Sequence, residues 1–317
     1  MTSSSRPSAP EDDWLLAAID GQEIRLAMAK PGPTPRLDRQ RDYPTRQFVT
    51  ATDAFQKYGE EVGVDIADRT VALVVSGPVV GDSIRIQRCP WILSLTGLRY
   101  VFGKPPLAVN DSAVKSWANL AHTAQSHTSL SAPALPDFTR NGRWATITLQ
   151  NGLGASLLVR AEGQRMMMVD SEIGHIGFAP HGPEEVALAE AIAKQKGGTS
   201  WELALFAHED RDLWRAAGLP GDPEGTDVAR AAMVGSFAGD VVLATGGWSG
   251  MFLHCARSVL ARPAALAAFN KRFEAKTAYK MEIRRTPRWR ADMPAANLTG
   301  AALMLWEIEG QKATSST

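Results

Sequence analysis

The sequence of 317 residues predicts an α/β protein whose two domains face each other across a cleft. The length is sufficient for two domains of ordinary size. Each half opens with the pattern of a β-hairpin, adds a further strand and then alternates strands with helices, which is typical of a layered α/β domain. Polar residues follow several of the strands, and ligands of open α/β sheets bind outside the carboxyl ends of strands. We therefore expect functional residues to line the cleft.

The composition is that of an ordinary globular protein, with 44% hydrophobic and 21% charged residues. The 34 Lys and Arg residues balance the 34 Asp and Glu residues, which argues against a general nucleic-acid-binding surface. No apolar run reaches the length of about 18 residues that indicates a transmembrane helix, so we expect no membrane span. Two cysteines, Cys89 and Cys255, are too few for a disulfide framework or a zinc cluster. They favour a cytoplasmic location.

In the first half, an apolar run that ends at Asp20 and a second run after Gly21 form a hairpin pattern. Residues 52–62 show helical periodicity, whereas residues 70–75 form a continuous run typical of a buried strand. The expected elements are, in order, strands over 14–20 and 24–28, a loop over 31–44, a helix over 52–62, strands over 70–75 and 84–86, a helix over 93–100, a strand over 107–111 and a helix over 112–124.

In the second half, two strand-like runs flank the glycines of residues 151–154, which again predicts a hairpin. The expected elements are, in order, strands over 144–149, 155–160 and 166–169, helices over 184–194, 201–206, 211–217 and 227–244, a strand over 251–254, and helices over 263–275 and 298–309. We expect a small domain of residues 14–111 with 298–312, a large domain of residues 112–297, a disordered tail at residues 1–13 and a second tail at residues 313–317.

One stretch, residues 170–180, combines groups that can bind a small polar molecule. It follows a strand-like run and carries Glu172, His175 and two glycines within six residues. A turn at the end of a strand can aim both side chains at one ligand, although an ordinary solvent-exposed loop is the commoner explanation of such a motif taken alone. The Glu-x-x-His spacing also occurs in di-iron sites, but these require a second copy, which the sequence lacks.

Several segments together resemble the bacterial glucokinase family, which has the actin/hexokinase-like (ribonuclease H-like) fold. Asn110-Asp111 resembles the family's "NDF" pair, residues 172–180 resemble "EGGHxxFAP", and residues 200–202 resemble "SxE". Residues 76–82 and 297–300 resemble further family segments, and the order of the matches agrees over nearly the whole chain after the first tail. The resemblance implies two domains of this fold that flank a central cleft.

The same resemblance implies an ATP-dependent kinase that phosphorylates the 6-hydroxyl of glucose or a related hexose. It implies a sugar site of Asn110, Asp111, Glu172, His175 and Glu202, in which Asp111 is the general base. These residue types suit a ring of hydroxyl groups, because carboxylates accept hydrogen bonds while Asn and His both donate and accept. It further implies ATP and Mg²⁺ as cofactors and a homodimer, which is common among such relatives.

The segments that would bind the nucleotide depart from the family pattern. The family's "DxGGTN" corresponds to residues 20–25, which keep one glycine and add an acidic residue. When Asp20 is aligned with the family Asp, the loop is two residues shorter than in the family. The family's "GxGTGLG" corresponds to residues 148–154, where Thr148 and Gln150 each replace a glycine and Asn151 replaces the threonine. Glycines allow backbone N–H groups to approach phosphates closely. The nucleotide-binding residues implied by the resemblance are Asp20, which would also place the metal ion, Gly21, Gln150, Asn151, Gly152 and Gly154.

Two further substitutions lie on the sugar side of the pattern. Ile173 replaces the first glycine of "EGGH", and Arg88 replaces the Asn of the family's "TNxxW" segment. Because most sugar positions are kept while the phosphate loops are altered, a second hypothesis stays open. The protein would then be a catalytically weak or inactive homologue that binds sugar and acts as a sensor or partner protein.

Overall fold

The computed structural model describes residues 13–86, 88–121, 123, 126–131, 135–162 and 164–315, and side chains up to residue 309. The tail expected at residues 1–13 therefore lies outside the described residues except for Asp13, as do residues 316 and 317 of the second tail. By their contacts the residues form two compact units, Met1–Ala121 with Pro294–Thr317, and His122–Met293. Each unit combines a β-sheet with helices, which confirms the predicted α/β class.

The first unit is built on a five-stranded sheet with the order β3-β2-β1-β4-β7. Its elements up to residue 118 are strands β1 (Trp14–Ile19), β2 (Glu23–Lys30), β3 (Arg36–Pro44), β4 (Val71–Val75), β5 (Ser83–Arg85), β6 (Ile92–Ser94) and β7 (Leu107–Asn110), and helices α1 (Ala51–Val62), α2 (Leu95–Phe102) and α3 (Asp111–Ala118). Strand β1 is antiparallel to β2 and parallel to β4, and β4 is parallel to β7. All residues of β1 and β4 are buried, as expected for parallel strands inside a layered domain.

The predicted loop over residues 31–44 is wrong for its larger part, because Arg36–Pro44 form strand β3. This strand pairs with β2 alone and lies at the edge of the sheet. Its residues are mostly exposed and charged, which is how natural proteins protect an edge strand from pairing with other chains. Because of these charged residues, the segment lacks the alternation of apolar and polar residues by which a strand is recognised from sequence.

The second unit is built on a six-stranded sheet with the order β11-β10-β9-β12-β13-β8. Its elements are strands β8 (His127–Ser129), β9 (Gly142–Leu149), β10 (Leu153–Arg160), β11 (Met167–Ser171), β12 (Gly250–Cys255) and β13 (Arg288–Ala291), and helices α4 (Pro183–Lys196), α5 (Trp201–Phe206), α6 (Arg211–Ala216), α7 (Pro223–Thr245), α8 (Pro263–Glu274) and α9 (Lys280–Arg285). Strands β9, β10 and β11 form an antiparallel meander, and β12 runs parallel to both β9 and β13. The predicted hairpin is thereby observed.

Among the described residues, helix α7 is the one helix that is both long enough and apolar enough to cross a membrane. However, 56% of its apolar window is buried inside the protein. Val234, Phe237 and Val241 belong to the hydrophobic core of the second unit, and the helix packs against α8. Its apolar character is therefore explained by its position as a core helix.

The closing helix α10 (Ala296–Ser315) returns to the first unit, where it packs against β1, β4 and α3. A Cβ atom added at Gly300 would overlap the carbonyl oxygen of Val114, so α3 and α10 approach more closely than a larger residue would allow. This contact places α3 beside α10 in the first unit, which by contacts comprises Met1–Ala121 and Pro294–Thr317.

Candidate functional site

Asn110 occupies the junction between β7 and α3 and is 8% exposed. Its side-chain oxygen accepts hydrogen bonds from the backbone N–H groups of Ser112 at 2.8 Å and Ala113 at 3.4 Å, so it is the N-cap of α3. Its amide nitrogen donates to the carbonyl oxygen of Gly77 at 3.0 Å, in the turn that follows β4. Asn110 thus fixes the position of the next residue, Asp111, at the carboxyl edge of the sheet.

Asp111 begins helix α3 and forms an ion pair that the sequence interpretation missed. Lys115 Nζ lies 3.1 Å from Asp111 Oδ2, and the two side chains are 3% and 24% exposed respectively. Lys115 has no other hydrogen-bond or ion-pair partner among the described residues. The spacing of four residues on one helix could have revealed the pair, since residues i and i+4 lie on the same helical face. The ammonium group holds one carboxylate oxygen and leaves Oδ1 for a ligand.

Glu172, His175 and Glu202 lie together in the second unit. Strand β11 ends at Ser171, the 3₁₀ turn Ile173–His175 follows, and helix α5 carries Glu202. His175 Nε2 lies 3.7 Å from Glu172 Oε2 and 3.9 Å from Glu202 Oε2. These distances exceed those of a direct hydrogen bond. The three side chains therefore lie around one point without forming direct hydrogen bonds to one another through these atoms. His175 and Glu172 are about half exposed.

The turn between β9 and β10 is joined to this cluster through Glu202. Its Oε2 atom accepts a hydrogen bond from the backbone N–H of Leu153 at 2.8 Å, and a Cβ atom added at Gly152 would lie 3.0 Å from the same oxygen. On the other side, a Cβ atom at Gly174 would overlap the carbonyl oxygen of Leu153. The 3₁₀ turn and the β9–β10 turn thus pack directly against each other, which requires glycine at position 174.

Ile173, which replaces a glycine of the family pattern, does not disturb this packing. Its side chain is partly buried and packs against the hydrophobic core of the second unit. At the tip of the neighbouring turn, the side chains of Gln150 and Asn151 are exposed. The backbone N–H of Gln150 donates to the carbonyl oxygen of Gly152 at 3.1 Å, and Gly154 lies opposite Thr148 in the ladder of β9 and β10. A ligand at this tip would meet side chains more readily than backbone donors.

The turn of residues 20–23 in the first unit, named the Asp20 turn below, is closed by its own aspartate. Asp20 Oδ1 accepts hydrogen bonds from the backbone N–H groups of Gln22 at 2.9 Å and Glu23 at 2.8 Å. The backbone N–H of Asp20 donates to the carbonyl oxygen of Glu23 at 3.0 Å, and Glu23 forms an ion pair with Arg25 at 3.2 Å. Two backbone donors of this turn, the N–H groups of Gln22 and Glu23, are therefore already bound to a carboxylate.

Asp20 would contribute one carboxylate ligand to a bound metal ion. In the described part of the chain, no three His, Cys, Asp or Glu side chains are grouped so that they could hold a metal ion. One carboxylate is nevertheless the usual protein contribution to Mg²⁺ that arrives with a nucleotide, because phosphates and water supply the remaining ligands. The donor set fits Mg²⁺ bound to a phosphate chain, rather than a metal held by the protein alone.

Comparisons with known proteins agree with the sequence resemblance. The family model described as Glucokinase matches residues 15–207. The chain is 30% identical to the glucokinase of Stenotrophomonas maltophilia, with 98% of each chain covered. A glucokinase structure from an Antarctic psychrotroph has a TM-score of 0.75 at 22% identity and covers 93% of this chain and 98% of its own.

A second solved structure, that of Balamuthia mandrillaris glucokinase in complex with glucose, has a TM-score of 0.72 at 16% identity and covers 94% of both chains. At such identities the structural likeness establishes the fold. It confirms the predicted class of two hexokinase-like α/β domains.

Proposed function

The chain belongs to the glucokinase family of sugar kinases, and on that premise we propose that it transfers a phosphoryl group from ATP to the 6-hydroxyl of glucose or a related hexose. The observation that carries the proposal is the cluster of Glu172, His175 and Glu202. These are three polar side chains held around one point, with separations of 3.7 Å and 3.9 Å from His175 to the two carboxylates. Such gaps suit hydroxyl groups that bridge the side chains.

In this proposal the cluster binds and selects the sugar. Glu172 and Glu202 accept hydrogen bonds from sugar hydroxyls, while His175 donates or accepts. A sugar that lacks a hydroxyl cannot make the corresponding hydrogen bond, and such losses give strong discrimination between substrates. Glu202 also accepts the hydrogen bond from the N–H of Leu153, so its orientation is fixed by the turn that carries Gln150, Asn151, Gly152 and Gly154.

Asp111 is the proposed general base. Its Oδ2 atom is held by Lys115 at 3.1 Å, and Asn110 fixes the start of α3. The Oδ1 atom is then available to take the proton of the sugar 6-hydroxyl as the hydroxyl oxygen becomes the nucleophile. ATP with Mg²⁺ supplies the phosphoryl group when bound. The residues proposed to hold it are Asp20, through the metal ion, Gly21, Gln150, Asn151, Gly152 and Gly154.

A second function is favoured by one observation, which is the closed Asp20 turn. Because Gln22 and Glu23 donate their backbone N–H groups to Asp20, a preorganised phosphate cradle is absent from this turn. Preorganised donors contribute much of the stabilisation of a transferring phosphoryl group. The alternative is therefore a sugar-binding homologue with weak or no turnover that acts as a sensor or partner protein.

The two functions are separated by measuring glucose binding and sugar-dependent ADP formation on the same protein. We expect both in the wild type, and we expect the Asp111→Asn variant to keep glucose binding while its turnover falls by roughly 10²–10⁴-fold, the usual contribution of a general base. Glucose binding without ADP formation in the wild type would support the alternative. Full turnover in Asp111→Asn would exclude Asp111 as the base.

The expected homodimer and the cytoplasmic location stay predictions. The mass of the protein in solution, measured by sedimentation at several concentrations, tests the first. A mass that matches one chain of 34.2 kDa at every concentration would contradict it.

A further inference from the structure

A pocket of about 730 Å³ opens in the first unit beside the Asp20 turn. It is lined by residues 21–23, 44–46 and 88–90. Its size lies within the range of about 300–1,000 Å³ that is common for small-molecule sites. The pocket is therefore large enough for several phosphate groups. It adjoins the Asp20 turn, in which the backbone N–H groups of Gln22 and Glu23 are already bound to Asp20.

The segments around the pocket are tied to one another. Thr45 donates its backbone N–H to the carbonyl oxygen of Gln22 at 2.8 Å, which fixes the 3₁₀ turn Thr45–Gln47 against the Asp20 turn. The indole N–H of Trp91 donates to the carbonyl oxygen of Phe48 at 3.2 Å, and Trp91 is 3% exposed. The backbone that carries Arg46 and Arg88 is thereby held in place on both sides.

Two guanidinium groups dominate the charge of the pocket. Arg46 makes no hydrogen bond or ion pair with any described residue, and Arg88 is exposed. Of the nearby acidic residues, Glu23 pairs with Arg25 at 3.2 Å, and Asp20 binds its own turn through Oδ1. Asp20 directly precedes residues 21–23, which line the pocket.

The backbone at Arg88 gives a second, independent sign. Its φ angle is 60°, a left-handed conformation that arginine adopts rarely. Such strain persists only where surrounding structure enforces it, and it is concentrated at functional sites. The strained backbone places an arginine at the pocket, where glycine or asparagine would adopt the same conformation more readily.

We propose that Arg46 and Arg88 form a phosphate-binding site in this pocket, in which guanidinium side chains replace the backbone donors that the Asp20 turn has lost. Guanidinium groups bind phosphate oxygens through two parallel hydrogen bonds, so two of them can hold a chain of phosphates. The carboxylate of Asp20 would repel a bare phosphate, but it would help to hold a phosphate chain that carries Mg²⁺. The ligand class is therefore a Mg²⁺-bound di- or triphosphate. The proposal rests on the proposed function only for the identity of that ligand as ATP.

Calorimetric titration with sodium tripolyphosphate in the presence of Mg²⁺ tests the site without any turnover. We expect binding by the wild type and an increase in the dissociation constant of about tenfold or more in both Arg46→Gln and Arg88→Gln, because each removes a charge-assisted contact. Arg99→Gln is the matched control, since it removes an exposed arginine of the same unit on helix α2, and its affinity is expected to equal that of the wild type. Thermal unfolding of all four proteins checks that the variants are folded.

ATP and glucose 6-phosphate, titrated separately, identify the source of the phosphate. A loss of ATP affinity in the same two variants supports the nucleotide, and a loss of glucose 6-phosphate affinity alone points to a sugar phosphate and overturns the assignment to a di- or triphosphate. Equal tripolyphosphate affinity in Arg46→Gln, Arg88→Gln and Arg99→Gln, or its absence in the wild type, overturns the site even if the protein forms ADP. Arginine-dependent binding without sugar-dependent ADP formation upholds the site and refutes the proposed activity.

Discussion

The cluster of Glu172, His175 and Glu202 and the Asp20 turn use carboxylates in opposite ways. At the cluster, Glu172 and Glu202 stand 3.7 Å and 3.9 Å from His175 and leave gaps that a ligand can fill. At the turn, Asp20 accepts hydrogen bonds of 2.9 Å and 2.8 Å from the backbone N–H groups of Gln22 and Glu23. The difference shows that an internal partner can occupy a hydrogen bond that a ligand would otherwise make.

The largest effect is expected from truncation of the cluster at Glu202. The Glu202→Ala variant removes a carboxylate that is proposed to bind the sugar, and it also leaves the N–H of Leu153 without its acceptor. Hydrogen bonds to charged groups contribute about 1.5–3 kcal/mol each, so glucose affinity is expected to fall by roughly 10–150-fold in calorimetry. Glu202→Gln, which retains an oxygen acceptor for Leu153, is expected to lose less. Unchanged affinity in Glu202→Ala would remove the cluster as the sugar site.

The close contact between the two turns of the second unit gives the next effect. A Cβ atom at Gly174 would overlap the carbonyl oxygen of Leu153, whereas one at Gly177 meets no atom within 4 Å. Gly174→Ala is therefore expected to lower the free energy of unfolding by about 1–3 kcal/mol, the usual cost of overpacking, and to weaken glucose binding as well. Gly177→Ala is the matched control and is expected to change neither. Equal denaturant midpoints for the two variants would show that position 174 has room for a side chain.

Loss of the ion pair between Asp111 and Lys115 is expected to lower stability by a smaller amount and to lower turnover separately. Lys115→Met replaces a buried ammonium by an apolar side chain of similar length, and Asp111 is only 24% exposed. Because the carboxylate still reaches water, the loss of stability is expected to be about 1–2 kcal/mol, below the cost of breaking a fully buried pair. Turnover is expected to fall while the KM for glucose changes little, since Asp111, the proposed base, loses the partner that orients it. Lys115→Arg is expected to restore part of the turnover.

The grouping of Glu172, His175 and Glu202 could be anticipated from the sequence because its motifs are local. Glu172 and His175 lie three residues apart after a strand, and Glu202 is recognised from its own short segment. Three features could not be predicted in this way. Strand β3 consists mostly of exposed charged residues. The hydrogen bonds of the Asp20 turn depend on backbone geometry. The pocket is lined by Arg46 and Arg88, which come from segments distant in the sequence. Features formed by tertiary contacts or by backbone angles leave no periodic pattern in the sequence.

The smallest effect, and the sharpest test of the contrast between the two regions, concerns Asp20 itself. The Asp20→Asn variant keeps an oxygen that can accept the N–H groups of Gln22 and Glu23, but it removes the negative charge. Because the turn stays closed, the free energy of unfolding is expected to change by less than about 1 kcal/mol, the net contribution of an ordinary hydrogen bond. If the charge serves Mg²⁺, Asp20→Asn weakens ATP binding in the presence of Mg²⁺ and leaves it unchanged, or strengthens it, when Mg²⁺ is chelated. Equal ATP affinity in both proteins with Mg²⁺ present would mean that Asp20 acts only as the cap of its own turn.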